Sequence, residues 1–195
     1  MFTASNQNLW LVIEFILILT VLVPTMVAFF TGAPWVPTPM VRVRRMLELA
    51  NLKPGDRIYD LGCGDGRMVQ EAAKVYGADA VGLELSPILF AAAKIRSFFL
   101  RSKAKILLRD FRRVNFSNAH AIVFYLLPEI LKTMGPKFAA EMKPGAKIIS
   151  YAFQIEGWTP VYTEPKDAAR NLARIFVYEV PTSVGVAPQK VEKSQ

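Results

Sequence analysis

Apolar and polar positions divide this chain into two regimes. Residues 9–30, LWLVIEFILILTVLVPTMVAFF, carry 18 apolar side chains in 22 positions and a single charge, Glu14. Beyond residue 40 the apolar positions come in short runs broken by Gly, Pro and charged clusters. The first regime predicts one long helix: at ~1.5 Å rise per residue, 22 residues reach ~33 Å, the thickness of a bilayer's hydrocarbon core. The second predicts alternating strands and helices. Val43, Met46, Leu47 and Ala50 repeat at helical spacing in MVRVRRMLELA (40–50), with the arginines expected on the solvent side and Thr38-Pro39 as N-cap and first helical residue. RIYDLG (57–62), DAVGLEL (79–85), AKILLRD (104–110), HAIVFYLL (120–127) and KIISYAF (147–153) read as strands. Between them lie helices at 67–77, from Ser86-Pro87 to about Arg101, and at 128–142, the last expected to break at Pro136. TPVYTE and RIFVYEV add two strands with no long helix between them.

Strands alternating with helices imply a parallel sheet covered on both faces, and the closing pair implies an antiparallel edge. The expected organisation is a short N-terminus (1–8), a transmembrane helix (9–30), a Pro-rich connector (31–39), one α/β domain (40–180) and a polar tail (181–195). The leading run differs from a secretory signal, which needs a basic segment ahead of a shorter apolar core. No Lys or Arg precedes it, whereas Arg42, Arg44 and Arg45 follow. That asymmetry places the N-terminus outside and the domain in the cytoplasm.

Charge and reactive residues narrow the functional classes. The net charge is +8, from 24 basic and 16 acidic residues. Next to a membrane helix this excess fits anionic lipid headgroups, and nucleic acid is disfavoured as partner. One cysteine and one histidine exclude an intrachain disulfide and a Cys/His metal centre, so no metal is expected.

The chemistry sits in IYDLGCGDGR (58–67). Three glycines, Gly62, Gly64 and Gly66, alternate with other residues where the first strand turns into the first helix, the place where ligands bind in open α/β sheets. The dinucleotide fingerprint G-x-G-x-x-G fails, because its third glycine position holds Arg67. The pattern D-x-G-x-G-x-G, Asp60 to Gly66, resembles motif I of the class I methyltransferases that use S-adenosylmethionine. The resemblance implies a Rossmann-like fold with a seven-stranded, mostly parallel sheet and S-adenosylmethionine as cofactor. It implies that Asp60 meets the cofactor's ammonium group, that Glu84 at the end of the second strand accepts from the ribose hydroxyls, that Asp110 meets the adenine amino group and that Phe111 packs on the ring. Cys63 and Leu85 complete the candidate cofactor set.

The resemblance is closer still. WVPTP, DLGCGDGR, GLELSP, YLLPEIL and FQIEGWTP occur in the order found in membrane-anchored lysine methyltransferases that modify the mitochondrial adenine nucleotide translocase and the c-ring protein of ATP synthase. It implies a protein-lysine N-methyltransferase held to the bilayer by residues 9–30 and acting on a small membrane protein. The D/N-P-P-Y/F motif of nucleobase amino-methylators is absent, and FYLLP (124–128) stands in its place. There Tyr125 is the candidate for orienting the acceptor amine, with Pro128 and Trp158 lining the substrate side. The alternatives are a methyltransferase of a lipid or isoprenoid headgroup, and a membrane-tethered scaffold without catalysis.

Overall fold

The computed structural model describes residues 4–31 and 36–180. Helix α1 (Ala4–Thr31) precedes α2 (Met40–Ala50), β1 (Arg57–Leu61), α3 (Arg67–Val75), β2 (Asp79–Glu84), α4 (Pro87–Phe99) and β3 (Lys105–Leu108). A 3-10 turn (Phe111–Arg113), β4 (Ala121–Phe124), α5 (Pro128–Glu141), β5 (Lys147–Tyr151), β6 (Tyr162–Glu164) and β7 (Ile175–Glu179) follow. The strands form one seven-stranded sheet in the order β3-β2-β1-β4-β5-β7-β6. The first five run parallel, and β7 is antiparallel to both β5 and β6. The expected mixed sheet with its antiparallel edge is therefore present, and its topological switch lies at β1 and β4.

Strand alternation divides the core. Tyr59, Leu61, Leu83, Ile122, Phe124, Ile148 and Tyr178 face Ile130, Leu131, Met134 and Phe138 of α5. Ile58, Ala80, Val123, Ile149 and Val177 face the apolar stripes of α2 and α3. A sheet buried on both faces needs apolar side chains at odd and even positions alike, which is why β4 and β5 read as continuous apolar runs.

Three local expectations are corrected. Pro39, not Thr38, is the N-cap of α2, and no side chain caps this end. Arg42 is buried rather than solvent-facing: its Nη2 donates to the Pro165 carbonyl at 3.1 Å, and Glu164 lies 4.0 Å from Nη1. The antiparallel edge supplies one carbonyl acceptor and a nearby carboxylate, which offset part of the burial penalty, while Nε finds no partner among the described residues. Helix α5 runs unbroken through Pro136. The residue before it is Gly135, which has no Cβ to clash with the proline ring, and that clash is what usually excludes helix at the preceding position.

Helix α1 contains the whole run 9–30 and lies against α4. Its described side chains from Asn8 to Thr20 are all exposed. Among the described residues no helix is long and apolar enough to cross a membrane; side chains at 4–7, 21, 24–25 and 27–31 of α1 lie outside that description. So do Trp35 in the connector and the tail from residue 181.

Candidate functional site

Two acids meet where β1 and β2 end. Asp60 pairs in register with Gly82, and Glu84 closes β2. Between them the glycine loop folds back on β2: the amides of Gly62 and Cys63 both donate to the Leu83 carbonyl, at 2.9 and 3.0 Å. Gly62, Gly64 and Gly66 have φ of 75°, 55° and 75°, in the left-handed region that side chains disfavour.

The three glycines are not equivalent. A Cβ at Gly66 would lie 3.0 Å from Gln70 Nε2 and 3.2 Å from the Ala93 Cβ, so this glycine lets α3 pack beside α4. A Cβ at Gly62 would meet a single neighbour, the Leu126 Cδ2 at 3.7 Å. Gly62 is thus the exposed glycine, open to an approaching ligand. Cys63 is buried against Gly82, on the protein side of the loop, where a Cβ would lie 2.7 Å from its sulfur. Burial, with Asp60 and Glu84 adding to it, pushes its thiol well above the ordinary value. It stays protonated and lacks the thiolate that nucleophilic chemistry requires.

Glu84 is held by backbone amides. Its Oε2 accepts from Gly64 N at 2.8 Å, and its Oε1 from Leu85 N and Ser86 N at 2.9 Å each. The acid therefore couples the glycine loop to the start of α4, where Ser86 is the N-cap. Leu85 is half-buried beside it. Asp60 is the opposite case. It is 6% exposed, and its carboxylate accepts no hydrogen bond from the described residues. Burial, then the Glu84 and Asp65 carboxylates, push it up to about 8. A buried carboxyl with acids around it and no donor is a site for a cation.

Asp65 does not supply one. Its carboxylate is bridged by Arg67 Nε and Nη2 at 2.9 Å each, and by Arg96 Nη1 at 3.3 Å. Burial pushes Asp65 up, but Arg67 and Arg96 outweigh it and hold the carboxyl below its ordinary value. Arg67 also donates to the Thr38 carbonyl at 3.1 Å, tying the loop to the entrance of α2. The GDGR tetrad thus fixes the loop from outside, a role its spacing did not reveal.

Asp110 lies at the end of β3 and caps the 3-10 turn, accepting from Arg112 N at 2.9 Å. Phe111 is 7% exposed within the α5-side core, with Arg112 over its ring. On the other side of the switch, Tyr125 follows β4. Its ring meets Tyr151 edge-on at 4.9 Å and stacks near Phe153 at 6.2 Å. Burial, then Tyr151, push its hydroxyl above the ordinary value. This aromatic wall has two members, Tyr151 and Phe153, beyond the sequence candidates. Their signal was position, since both stand at or just past the carboxyl end of β5. The loop carrying them is pinned, with Ser150 Oγ donating to the Phe153 carbonyl at 2.6 Å and Ala152 at φ 73°. A non-glycine residue held in that region stores strain that the surrounding hydrogen bonds must support. Pro128 begins α5. Trp158 packs on Gly135, 3.3 Å from where its Cβ would be, and edge-on to Tyr178 at 5.9 Å.

The residues present fit S-adenosylmethionine. The donor-free Asp60 carboxyl suits its ammonium group, the exposed Gly62 leaves room for its amino-acid end, and the Glu84 carboxylate at the end of β2 suits ribose hydroxyls. The aromatic wall lies across the sheet switch from these groups.

The profile of the ANTKMT methyltransferase domain matches residues 60–162. A protein-lysine N-methyltransferase of Saccharolobus islandicus is 39% identical over 68% of this chain and 84% of its own length. The adenine nucleotide translocase lysine N-methyltransferase of Mus musculus is 29% identical over 75% of this chain, and the match spans 63% of the mouse protein. A crystal structure of an RNA methyltransferase from Salinibacter ruber, in complex with S-adenosyl-L-homocysteine, superposes with a TM-score of 0.72 at 30% identity, covering 80% of this chain and 100% of that one.

Proposed function

Since the chain belongs to the ANTKMT methyltransferase domain family and is an S-adenosylmethionine-dependent methyltransferase, we propose that its methyl acceptor is the side-chain amine of a lysine in a membrane-associated protein. The observation that carries the reading is the aromatic wall of Tyr125, Tyr151 and Phe153 beside the cofactor site. It joins the kinship with lysine methyltransferases, one of them named for a translocase as its acceptor.

Bound S-adenosylmethionine supplies an activated methyl group on a sulfonium. Asp60 would hold the ammonium end, the exposed Gly62 would admit the chain behind it, and Glu84, steadied by the Gly64 amide, would accept from the ribose. Asp110 and Phe111 stand where the adenine would reach β3. The acceptor lysine must reach the site as a free amine. The Tyr125–Tyr151–Phe153 wall favours that form, because a desolvated amine loses its proton more readily. The Tyr125 hydroxyl accepts or donates no hydrogen bond among the described residues, which leaves it free to orient the amine lone pair toward the methyl group. Positioning of this kind supplies much of the acceleration of a displacement reaction. Pro128 and Trp158 bound the same side through α5 and the loop before β6.

Residues 9–30 act as the anchor in this reading, with residues 40–180 as the catalytic domain on the cytoplasmic face and 31–39 as a short stiff connector. The apolar length of that run supports the anchor, and Arg42, Arg44 and Arg45 support its orientation. The test is to incubate native membranes with the full-length protein and methyl-labelled donor, then separate protein, lipid and RNA. Label in the protein fraction supports the proposal. Label in extracted lipid would favour the headgroup alternative, and label confined to RNA, or none in protein, would overturn the lysine proposal.

A further inference from the structure

Helix α4 is poorly covered. Of its 13 residues, Ala93 is the one fully buried hydrophobic side chain. Phe98 and Phe99 are 79% and 77% exposed, their rings edge-on to each other. Ile88, Ile95 and Leu100 are also exposed, and so are Leu107 and Leu108 on β3, the strand at the open edge of the sheet. Ile88, Ile95, Phe98 and Phe99 along one helix with Leu100 at its end are too many exposed apolar side chains for ordinary surface scatter, and mark an interaction site.

Its rim is of one sign. Residues 85–109 contain six basic side chains, Lys94, Arg96, Arg101, Lys103, Lys105 and Arg109, and no acid. Arg96 and Lys105 are paired with Asp65 and Asp79. Lys94, Arg101, Lys103 and Arg109 are exposed and form no ion pair with any described residue. Aromatic side chains on one flank of a helix with unpaired cations around them match the interfacial zone of an anionic bilayer. The apolar helix α1 lies against the same helix, so the patch continues the surface that would enter the membrane.

We propose that the exposed face of α4 and the β3 edge form a second bilayer contact. Phe98 and Phe99 enter the headgroup boundary, and Lys94, Arg101, Lys103 and Arg109 bind anionic lipid. The domain is then held in one orientation rather than hanging from its connector. The start of α4, which joins Glu84 through Ser86 to the glycine loop, becomes the side of the site nearest the membrane. The proposal rests on the membrane reading of residues 9–30 for its setting but is tested separately from it.

The full-length chain is reconstituted in nanodiscs of phosphatidylcholine and phosphatidylserine, with a nitroxide at F99C, L19C or K143C in turn. Buried Cys63 gives the background in the unsubstituted chain, and calorimetry with S-adenosylhomocysteine confirms each variant's fold. Collision with oxygen is compared with collision with a water-soluble nickel chelate. The expected oxygen-to-nickel ratio at F99C is several-fold above that at K143C and falls toward it when phosphatidylserine is omitted. Equal ratios at the two positions, with L19C reporting lipid, overturn the second contact and leave the anchor standing. If L19C reports water while F99C reports lipid, the anchor fails and the α4 contact is supported. Protection of F99C from both reagents, unchanged between nanodiscs and detergent and dependent on protein concentration, would mean that a second copy covers the face, and overturns the proposal.

Discussion

Cofactor binding should release a proton from Asp60. In the free protein its carboxyl is pushed up to about 8 by burial and by Glu84 and Asp65, so at pH 7 about nine-tenths of molecules carry that proton. An ammonium group placed against it favours the carboxylate and expels the proton. Titration calorimetry with S-adenosylhomocysteine in two buffers of different ionisation enthalpy measures the number released. About 0.9 proton is expected at pH 7, falling toward roughly 0.1 at pH 9, with affinity rising about tenfold per pH unit up to ~8. Asp60→Asn supplies the baseline, because the ligand's own amine titrates in the same range. The ligand-free protein gives a second readout of opposite sign. A carboxyl whose folded value lies above its unfolded value of 3.8 contributes most stability in acid and loses it as pH rises toward about 8. The limiting slope is about 1.4 kcal/mol per pH unit, absent in Asp60→Asn. Equal proton release by wild type and Asp60→Asn, with parallel pH–stability curves, would refute the assignment of a cation site at Asp60.

Other changes separate the roles of neighbouring residues. Glu84→Ala should weaken S-adenosylhomocysteine by roughly 1–3 kcal/mol in calorimetry, since it also strands the amides of Gly64, Leu85 and Ser86; unchanged affinity would remove Glu84 from the site. Gly82→Ala places a Cβ 2.7 Å from the Cys63 sulfur and 2.9 Å from its Cβ, so denaturant unfolding should show a loss of about 1–3 kcal/mol, restored only in part by adding Cys63→Ala, which removes the sulfur but keeps the Cβ. Tyr125→Phe keeps the ring wall and removes one hydroxyl, so kcat should fall about fivefold with cofactor affinity unchanged, the scale of one hydrogen bond; an unchanged kcat would assign Tyr125 to packing alone. Removing residues 1–33 should reduce methylation in membranes far more than cofactor binding, through loss of effective concentration, and equal activity at matched low concentration would contradict the anchoring role.

The strand–helix alternation, the glycine loop and the antiparallel edge were legible because each has a local signature: a period, a turn pair or a spacing. Even the cap at Ser86 and the stop at Gly77 could be read this way. What escaped depends on partners distant in sequence. Arg42 looks like a surface cation until Glu164 and Pro165 arrive beside it. Gly66 looks like a ligand glycine, yet its missing Cβ is taken up by Gln70 and Ala93. Gly82 gave no signal at all, although it makes room for Cys63. The break expected at Pro136 did not occur: α5 runs through it, and Gly135 before it carries no Cβ to crowd the proline ring, one of several costs a proline imposes. Tyr151 and Phe153 join Tyr125 through the sheet order β1-β4-β5, which no single segment encodes.

The central claim is transfer to a lysine amine of a membrane protein, and amino-acid analysis tests it most directly. Native membranes are incubated with the full-length protein and S-adenosylmethionine bearing a trideuterated methyl group. Membrane proteins are then digested, and labelled residues are located by mass spectrometry. The expected result is deuterated methyl-lysine, at a position bordering a membrane span on the cytoplasmic side, lost in Asp60→Asn. Label confined to lipid, to RNA or to amino acids other than lysine, with lysine unlabelled, would contradict the account.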